Sequence, residues 1–558
     1  MEWAGKAQRT ASISDRVQTH RGNYVRIGSV ALAVSLAALP VSAAKGHPEI
    51  SLSIDAAQPG SPISPLIFGG ASYMTHLGSR WMTDGKLFWE CFDGKKSPTI
   101  AEISDKLPDT LLAPLKELDL PIMKLCGYNR CSGSWRDWIT AIDIGLEFCE
   151  RIGAQPMFDF DWIPKERAGP SYPYLSREDR AAIVEYCNST DISKGMGKLR
   201  AERGHPEPHN VQYWILGGEC WHNGKVYYPD KEYAAQYGRD LVDWVPAMRA
   251  ASPIPIRVGV DLCRWQSDWN RTVIEIAGNY IDFGGDHPVF PAAANEDGSD
   301  IVPAGCEKSL AYTASPLQLA RWIDDIHMII EDAKARGRMR REAYVRWGQT
   351  DYCVSINQFG DGSDPRDAQF QMVLTNAVQL QVLMQKNALL ACHWQTLGKR
   401  PGALVETDGT RLGQYHLLDM LIHGFGQTLL DFEAKNMPGY DAPAFGQLFE
   451  PVKSVPYLGV SASRADNGDL CFYVINRDAR RPMQLTINAQ SFTSGVKIRG
   501  SVWTLTAPKM TSPPEEMVVT KRQVTLDNHA SGAGQTIVVY GFPARSVTIL
   551  RLFRTPGA

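Results

Sequence analysis

The segment Tyr213-Trp-Ile-Leu-Gly-Gly-Glu219 is an apolar run of strand length that ends in two glycines and a carboxylate. Seven further runs of similar length and character lie along the chain on either side of it. They are Leu66–Ala71, Ile122–Tyr128, Gln155–Trp162, Pro255–Leu262, Tyr280–His287, Ala343–Gln349 and Leu389–Gln395. Near-continuous apolar strands are typical of a parallel sheet whose outer face is covered by helices.

Helical patterns separate these runs. Residues 138–152 carry apolar side chains at helical spacing, and Ser176 precedes an acidic first turn as an N-cap would. Leu317–Ala335 and Ala368–Lys386 are long and are expected to be amphipathic. Eight alternations of strand and helix predict an α/β fold, a (β/α)8 TIM barrel, over residues 66–431. A doubly wound open sheet is the alternative, but no glycine-rich phosphate loop follows the first run.

The pattern changes near Phe432, where short runs rich in Val, Thr, Leu and aromatic residues alternate with turn residues. This is typical of antiparallel strands, so residues 432–558 are predicted to form a C-terminal β-sandwich. Ile50–Ile54 alternates apolar and polar side chains before the first barrel run. Residues 44–65 are therefore expected to add an N-terminal edge strand to the sandwich.

Composition and the N-terminus narrow the class of protein. The 558 residues carry a formal net charge of −3, which argues against a nucleic-acid binder. Arg21 and Arg26 precede the apolar stretch Ile27–Leu39, and small residues follow it. Residues 1–43 are thus predicted to be a signal peptide, which implies a secreted or periplasmic protein without membrane contact after cleavage. An uncleaved membrane anchor is the alternative.

No cofactor or metal is expected. The eleven cysteines and twelve histidines show no zinc-ligand spacing, and the chain has no P-loop, dinucleotide fingerprint or HExxH motif.

Functional groups of a TIM barrel gather at the C-terminal ends of its strands, so the last residues of each run are candidates for the site. Carboxylates, histidines and tryptophans collect there, and these residue types suit sugar chemistry. Glu219 is the strongest candidate, because a carboxylate closing an apolar strand is costly without partners or a task. The other candidates at these ends are Tyr128, Asn129, Asp161, Trp162, Gly218, Trp221, His222, His287, Arg346, Trp347 and Trp394.

Several segments resemble the family 51 glycoside hydrolases, the α-L-arabinofuranosidases of the retaining barrel-glycosidase clan. They are Ile63–Gly69, Glu185–Asn188, Arg200–Pro208, Val211–Glu219, Val455–Leu458, Val474–Asn476 and Ser546–Leu550. The resemblance implies an oligo- or polysaccharide substrate and makes Glu219 the general acid/base. His287 stands where the family has a histidine after strand 6. Family members are often oligomers.

The resemblance breaks at two positions. The family's Asn before the acid/base is Gly218 here, and the nucleophile position before Trp347 is Arg346. A guanidinium stays protonated and cannot act as a nucleophile. Another carboxylate would then have to face Glu219, with Asp161, Asp261, Asp286 and Asp351 as candidates.

Three functions follow from this pattern. The first is glycoside hydrolysis with a non-standard second catalytic group. The second is a polysaccharide lyase, in which Arg346 binds the carboxylate of an acidic uronate, and Tyr128, His287 or Glu219 moves the C5 proton. The third is a saccharide-binding protein without catalysis.

Overall fold

A computed structural model describes most of the chain after residue 48. The residues described are 49–73, 107, 109–126, 139–168, 174–220, 231–263, 267–290, 307–354, 369–398, 402–406, 408–444, 449–492, 497–530 and 534–554.

Eight parallel strands close into a barrel, each paired with the next and the eighth with the first. We number them barrel strands 1 to 8 in chain order. They are Gly69–Tyr73, Ile122–Cys126, Gln155–Phe160, Tyr213–Leu216, Arg257–Asp261, Phe283–Gly285, Arg346–Val354 and Leu390–Trp394. Their side chains are almost all buried, as expected of strands enclosed by helices. The predicted TIM barrel is confirmed.

Helices surround the barrel. They span Asp109–Leu118, Ile139–Ile152, Arg177–Asn188, Gly195–Glu202, Lys231–Ala250, Ser267–Ala277, Lys308–Ala314, Leu319–Ala335, Gln369–Gln385 and Gly413–Gly424, with 3-10 turns at Pro65–Phe68, Lys165–Arg167, Ser315–Gln318 and Pro514–Glu516. Ser176 caps its helix as predicted, because its hydroxyl accepts from the Asp179 amide while the Asp179 carboxylate accepts from the Ser176 amide.

The helix Gln369–Gln385 was expected to be amphipathic, and this prediction was wrong. All but its last residue are buried, including polar side chains such as Asn376 and Gln379. One side packs on the barrel and the other on the C-terminal strands, where Tyr473 donates to the Ala377 carbonyl and Gln381 donates to Ser461. This helix therefore belongs to the cores of both regions.

The C-terminal region is built from two main sheets. The strands of the first sheet, in spatial order, are Glu433–Lys435, Ser51–Asp55, Met483–Gln490 and Gln535–Phe542. The strands of the second sheet, in spatial order, are Ser61–Pro62, Thr428–Leu430, Leu458–Arg464, Leu470–Asn476, Ser546–Leu552, Lys497–Thr506 and Val518–Asp527. A small hairpin pairs Gly439–Ala442 with Val452–Pro456, and Val289–Phe290 pairs with the end of barrel strand 7.

The N-terminal strand has a different place from the one expected. Ser51–Asp55 pairs on one side with Met483–Gln490 and on the other with Glu433–Lys435, so it is an inner strand. The prediction of an edge strand was wrong because Glu433–Lys435 is only three residues long and exposed, which leaves no apolar pattern to detect.

No helix among the described residues is long and apolar enough to cross a bilayer. The predicted signal peptide, residues 1–43, lies outside the described residues.

Candidate active site

Lys124 of barrel strand 2 is the centre of a buried charge cluster at the barrel mouth. Its Nζ lies 3.0 Å from Asp159 Oδ2 at the end of strand 3 and 2.9 Å from Asp351 Oδ2 on strand 7. Burial alone would lower the pKa of Lys124, but these two carboxylates raise it well above its usual value. Lys124 is therefore a permanent cation that joins two opposite sides of the barrel.

Glu219 and His287 form the open edge of this cluster. Glu219 follows barrel strand 4 in a left-handed conformation, with φ of 53°, directly after Gly217 and Gly218. Its Oε1 lies 3.0 Å from Nδ1 of His287, which follows strand 6. The Glu219 side chain is 49% exposed whereas that of His287 is 5% exposed, so the glutamate is the member of the pair that a substrate can reach.

The same imidazole nitrogen also contacts Asp351, at 3.5 Å from Oδ2. Since both carboxylates approach one nitrogen, Oε1 of Glu219 and Oδ2 of Asp351 lie no farther apart than the lower end of the about 6.5–9.5 Å range typical of inverting glycosidases. The Oδ1 atom of Asp351 is buried and has no hydrogen-bond partner among the described residues. Asp351 therefore has one oxygen fixed by Lys124 and a second oxygen that no described residue binds.

A β-bulge accompanies Asp351. Barrel strand 7 pairs Gln349 with Ala391 but Tyr352 with His393, so strand 7 has one residue more than its neighbour over this interval. Bulges occur next to active sites, where they redirect a side chain. The bulge lies at the mouth end of the strand.

Charge around His287 sets its protonation. Burial lowers its pKa and Lys124 adds to that effect, but Asp351, the hydrogen bond to Glu219 and Asp261 together raise the pKa to about 9. His287 is thus an imidazolium near neutral pH and balances two neighbouring carboxylates.

The remaining carboxyl groups of the mouth differ from Asp351. Burial raises the pKa of Asp261 well above its usual range, and both of its oxygens lack a hydrogen-bond partner among the described residues. Burial and the Asp159 charge raise the pKa of Asp161 in the same way. Asp286 accepts from the amide of His287 at 2.7 Å. Burial also raises the pKa of Asp351, but Lys124 and His287 oppose that rise and favour its ionised form.

The packing around Gly218 explains why this position has no side chain. A Cβ atom built there would overlap Oδ1 of Asp161 and lie 3.4 Å from both oxygens of Asp159. The Asp161 carboxylate thus occupies the space into which a side chain at position 218 would begin to extend. Because Asp161 fills this space, the Asn that the family has at this position would not fit here.

Arg346 is not at the mouth. It is the first residue of barrel strand 7, and its guanidinium donates to the backbone carbonyls of Asn387 and Ala388, at 3.0 and 3.2 Å, and to the side chain of Asn387 at 3.0 Å. The prediction that it ends strand 7 was wrong, because the strand continues to Val354. The apolar run covers only the first part of this strand, and Asp351 is the residue that reaches the mouth.

The tryptophans divide by exposure. Trp162 is 2% exposed and donates to Asp240 at 2.8 Å, so it packs against the helix Lys231–Ala250. Trp347 is also 2% exposed and donates to Gln349. Both side chains are buried within the barrel wall and its helices. Trp394, at the end of strand 8, is half-buried and retains surface for a ligand.

Four predicted site residues, Tyr128, Asn129, Trp221 and His222, lie outside the described residues.

The chain is similar to proteins of known activity. Residues 129–258 match the family model of the alpha-L-arabinofuranosidase 1 domain. A probable alpha-L-arabinofuranosidase C of Aspergillus flavus is 23% identical over 545 residues, covering 90% of this chain and 97% of the relative. An intracellular exo-alpha-(1->5)-L-arabinofuranosidase of Halalkalibacterium halodurans is 22% identical, covering 68% of this chain and 77% of the relative.

Solved structures share the fold. An arabinose complex of an alpha-L-arabinofuranosidase from Thermotoga maritima superposes with a TM-score of 0.66 at 20% identity, covering 90% of this chain and all of the other. A GH51 alpha-L-arabinofuranosidase from Thermotoga petrophila gives the same TM-score, identity and coverage. The predicted resemblance to family 51 and the predicted fold are both confirmed.

Proposed function

We propose that this family 51-like glycoside hydrolase cleaves terminal arabinofuranosyl residues by a retaining mechanism in which Glu219 is the acid/base and Asp351 the second carboxylate. The observation that carries the proposal is the contact of both carboxylates with Nδ1 of His287, at 3.0 and 3.5 Å. A separation at or below the lower end of the range found in inverting enzymes favours a mechanism in which the second carboxylate itself attacks the sugar.

The reaction proceeds in two steps. Glu219 protonates the glycosidic oxygen while the Asp351 carboxylate attacks the anomeric carbon, which releases the aglycone and forms a glycosyl ester. Glu219 then takes a proton from water, and the resulting attack on the same carbon releases the sugar and restores Asp351. Lys124 holds Oδ2 of Asp351 at 2.9 Å and favours its ionised form.

His287 is a positioning residue in this scheme. Its imidazolium reduces the repulsion between Glu219 and Asp351, which lets two carboxylates remain close together in a largely buried site. Asp261 and Asp161 are unsuited to the nucleophile's part, because their raised pKa values favour the neutral acid, which is a poor nucleophile.

The substrate class rests on the relatives. The similar proteins are named arabinofuranosidases, and the arabinose complex comes from a structure of the same fold. We therefore expect an oligo- or polysaccharide that carries terminal α-L-arabinofuranose.

Trapping of the covalent intermediate tests the proposal. A 2-fluoro arabinofuranosyl substrate with an activated leaving group should accumulate as a glycosyl ester, and peptide mass spectrometry should place the added mass on Asp351. Proton NMR of the first sugar released from an unsubstituted substrate should show the retained anomer. A label on another carboxylate, or an inverted product, would contradict the assignment.

Elimination on a uronate is less well supported. That hypothesis needs an arginine at the mouth to bind the sugar carboxylate, and Arg346 lies at the start of its strand instead. Lys124, a buried cation at the mouth, is already paired with Asp159 and Asp351.

We also propose that the protein is exported, on the evidence of the apolar stretch Ile27–Leu39 and the small residues after it. The intact mass of the protein recovered from outside the cytoplasm should show cleavage near Ala43. Recovery of the uncleaved chain from the cytoplasm would argue for an internal location, as described for the Halalkalibacterium relative.

A further inference from the structure

We propose that Glu150, His205 and His209 bind a divalent transition-metal ion, with zinc as the most suitable, at the barrel rim opposite the mouth. We refer to these three residues as the rim cluster. One ligand atom from each lies within 4.8 Å of the other two. Two imidazoles and one carboxylate are a donor set that zinc takes in proteins.

The first argument is the tautomer of His205. Its Nδ1 lies 2.6 Å from the carbonyl oxygen of Glu207, an atom that can only accept, so Nδ1 carries the proton. In the neutral imidazole, Nε2 then carries the lone pair and directs it towards Oε2 of Glu150 at 3.2 Å. Two acceptors this close need a cation between them, either a proton or a metal ion.

The geometry of this pair fits a metal ion. Bond lengths of about 2.0–2.2 Å in a tetrahedron place neighbouring ligand atoms about 3.3 Å apart. The hydrogen bond from a histidine's other ring nitrogen to a backbone carbonyl is also the arrangement that orients metal-binding imidazoles.

The second argument is His209. Its ring stacks on that of His205 with 3.9 Å between centroids, and its Nε2 is buried without a hydrogen-bond partner among the described residues. This nitrogen is thus an imidazole donor that no other described group uses, and imidazole nitrogens are common zinc ligands.

The third argument is the rigidity of the segment that carries the two histidines. The side chain of Arg200 is fully buried and donates to the carbonyl oxygens of Tyr186, Ser189, His205 and Pro206, at 2.6 to 3.0 Å. The amide of His209 donates to the Cys187 carbonyl at 2.8 Å. Two of the three ligands are thus held in place before any ion binds.

Glu150 supplies the adaptable ligand. It lies in the last turn of the helix Ile139–Ile152 and its side chain is 59% exposed. An exposed carboxylate can change rotamer to close the remaining distance at little cost. The site is open to solvent on this side, which leaves a position for a water molecule as the fourth ligand.

The site would be structural and not catalytic. His205 and His209 precede barrel strand 4, so they lie at the end of that strand opposite to Glu219. A bound ion would tie the helix Ile139–Ile152 to the segment that enters strand 4. We therefore expect metal binding to raise the melting temperature and to leave the rate of sugar release unchanged.

Calorimetric titration with Zn²⁺ tests the proposal, using full-length protein treated with a chelator and then dialysed at pH 7.5. One ion should bind per chain and the melting temperature should rise. Glu150→Gln and His209→Leu should each weaken this binding by at least about tenfold. His423→Ala is the matched control. His423 forms a similar histidine–carboxylate pair with Asp419 at 2.9 Å, but it does not belong to the rim cluster.

Three results would overturn the inference. They are the absence of saturable binding by the wild type, binding that both rim-cluster variants retain, and a loss of binding in the His423→Ala control. Glu150→Gln changes a surface side chain, so the test remains valid if His209→Leu fails to fold. Activity assays on the same samples separate this proposal from the catalytic one, since the rim-cluster variants should cleave substrate at the wild-type rate.

Discussion

The two ends of barrel strand 7 carry residues with opposite roles. At its start, Arg346 donates to carbonyls of the segment that leads into strand 8. At its far end, Asp351 directs Oδ2 towards Lys124 and His287, while its Oδ1 has no hydrogen-bond partner among the described residues. The same strand thus carries a hydrogen-bonded cation at its start and a carboxylate that faces the barrel mouth at its other end. In a parallel barrel, strand direction decides which polar residues are available for chemistry.

The variant Asp351→Asn tests the difference between the two ends of strand 7 most directly. The amide cannot attack the anomeric carbon, so we expect kcat/KM on an aryl arabinofuranoside to fall by about 10⁴-fold or more. Circular dichroism and the melting temperature should show that the variant is folded. Activity within tenfold of wild type would remove Asp351 from the mechanism and return Asp261 to consideration.

Glu219→Gln should have the next largest effect. Loss of the acid/base should reduce kcat by about 10²–10⁴-fold on natural glycans. The loss should be smaller for substrates whose leaving group needs no protonation, such as dinitrophenyl glycosides, and there the glycosyl ester should accumulate as a burst. An equal loss on both substrate types would show that Glu219 acts otherwise than as a proton donor.

His287→Gln tests the electrostatics of the mouth. The folded-state pKa of about 9 exceeds the unfolded value of about 6.5, so the imidazolium stabilises the fold fully below pH 6.5 and loses this effect as pH rises through 9. We expect the stability difference between wild type and variant, up to about 3 kcal/mol, to shrink over that interval. Urea unfolding at several pH values measures it, and a difference that grows with pH would contradict the assignment.

Gly218→Ala should have a moderate effect. Its Cβ would overlap Asp161, so we expect reduced activity with a folded protein. Combining it with Asp161→Ala should restore part of the loss, because the overlapping carboxylate is gone. Additive losses in the double variant would mean that the two positions do not share the space as described.

Arg346→Ala should have the smallest effect. The guanidinium's hydrogen bonds to Asn387 and Ala388 are partly exposed, so their loss should cost about 1 kcal/mol of stability. We expect kcat/KM to stay within about threefold of wild type. A large loss of activity would revive the hypothesis that Arg346 takes part in catalysis.

The strand pattern and the candidacy of Glu219 could be predicted because they depend on local sequence. The apolar run from Tyr213 forms barrel strand 4, so the residues that follow it, Glu219 among them, lie at the C-terminal end of that strand as predicted. Ser176 with Asp179 likewise forms a capping box within four residues. The register of strand 7 could not be predicted. Its bulge and its extension to Val354 depend on pairing with strand 8, so the apolar run ended short of Asp351, which remained one of four candidate carboxylates.

The rim cluster could not be found by spacing either. His205 and His209 are four residues apart, but Glu150 comes from an earlier helix and joins them only in the folded chain. The burial of Trp162 and Trp347 could not be predicted either, because the sequence does not distinguish a tryptophan that packs on a helix from one that faces a sugar.

The helix Gln369–Gln385 has a consequence for the modularity of the protein. Because this helix is buried on all sides, neither the barrel nor the C-terminal sheets can be moved into another protein on their own. A chain ending near residue 431 would expose the apolar surface that now meets Tyr473 and its neighbours. A transplanted barrel would therefore have to keep the C-terminal sheets with it.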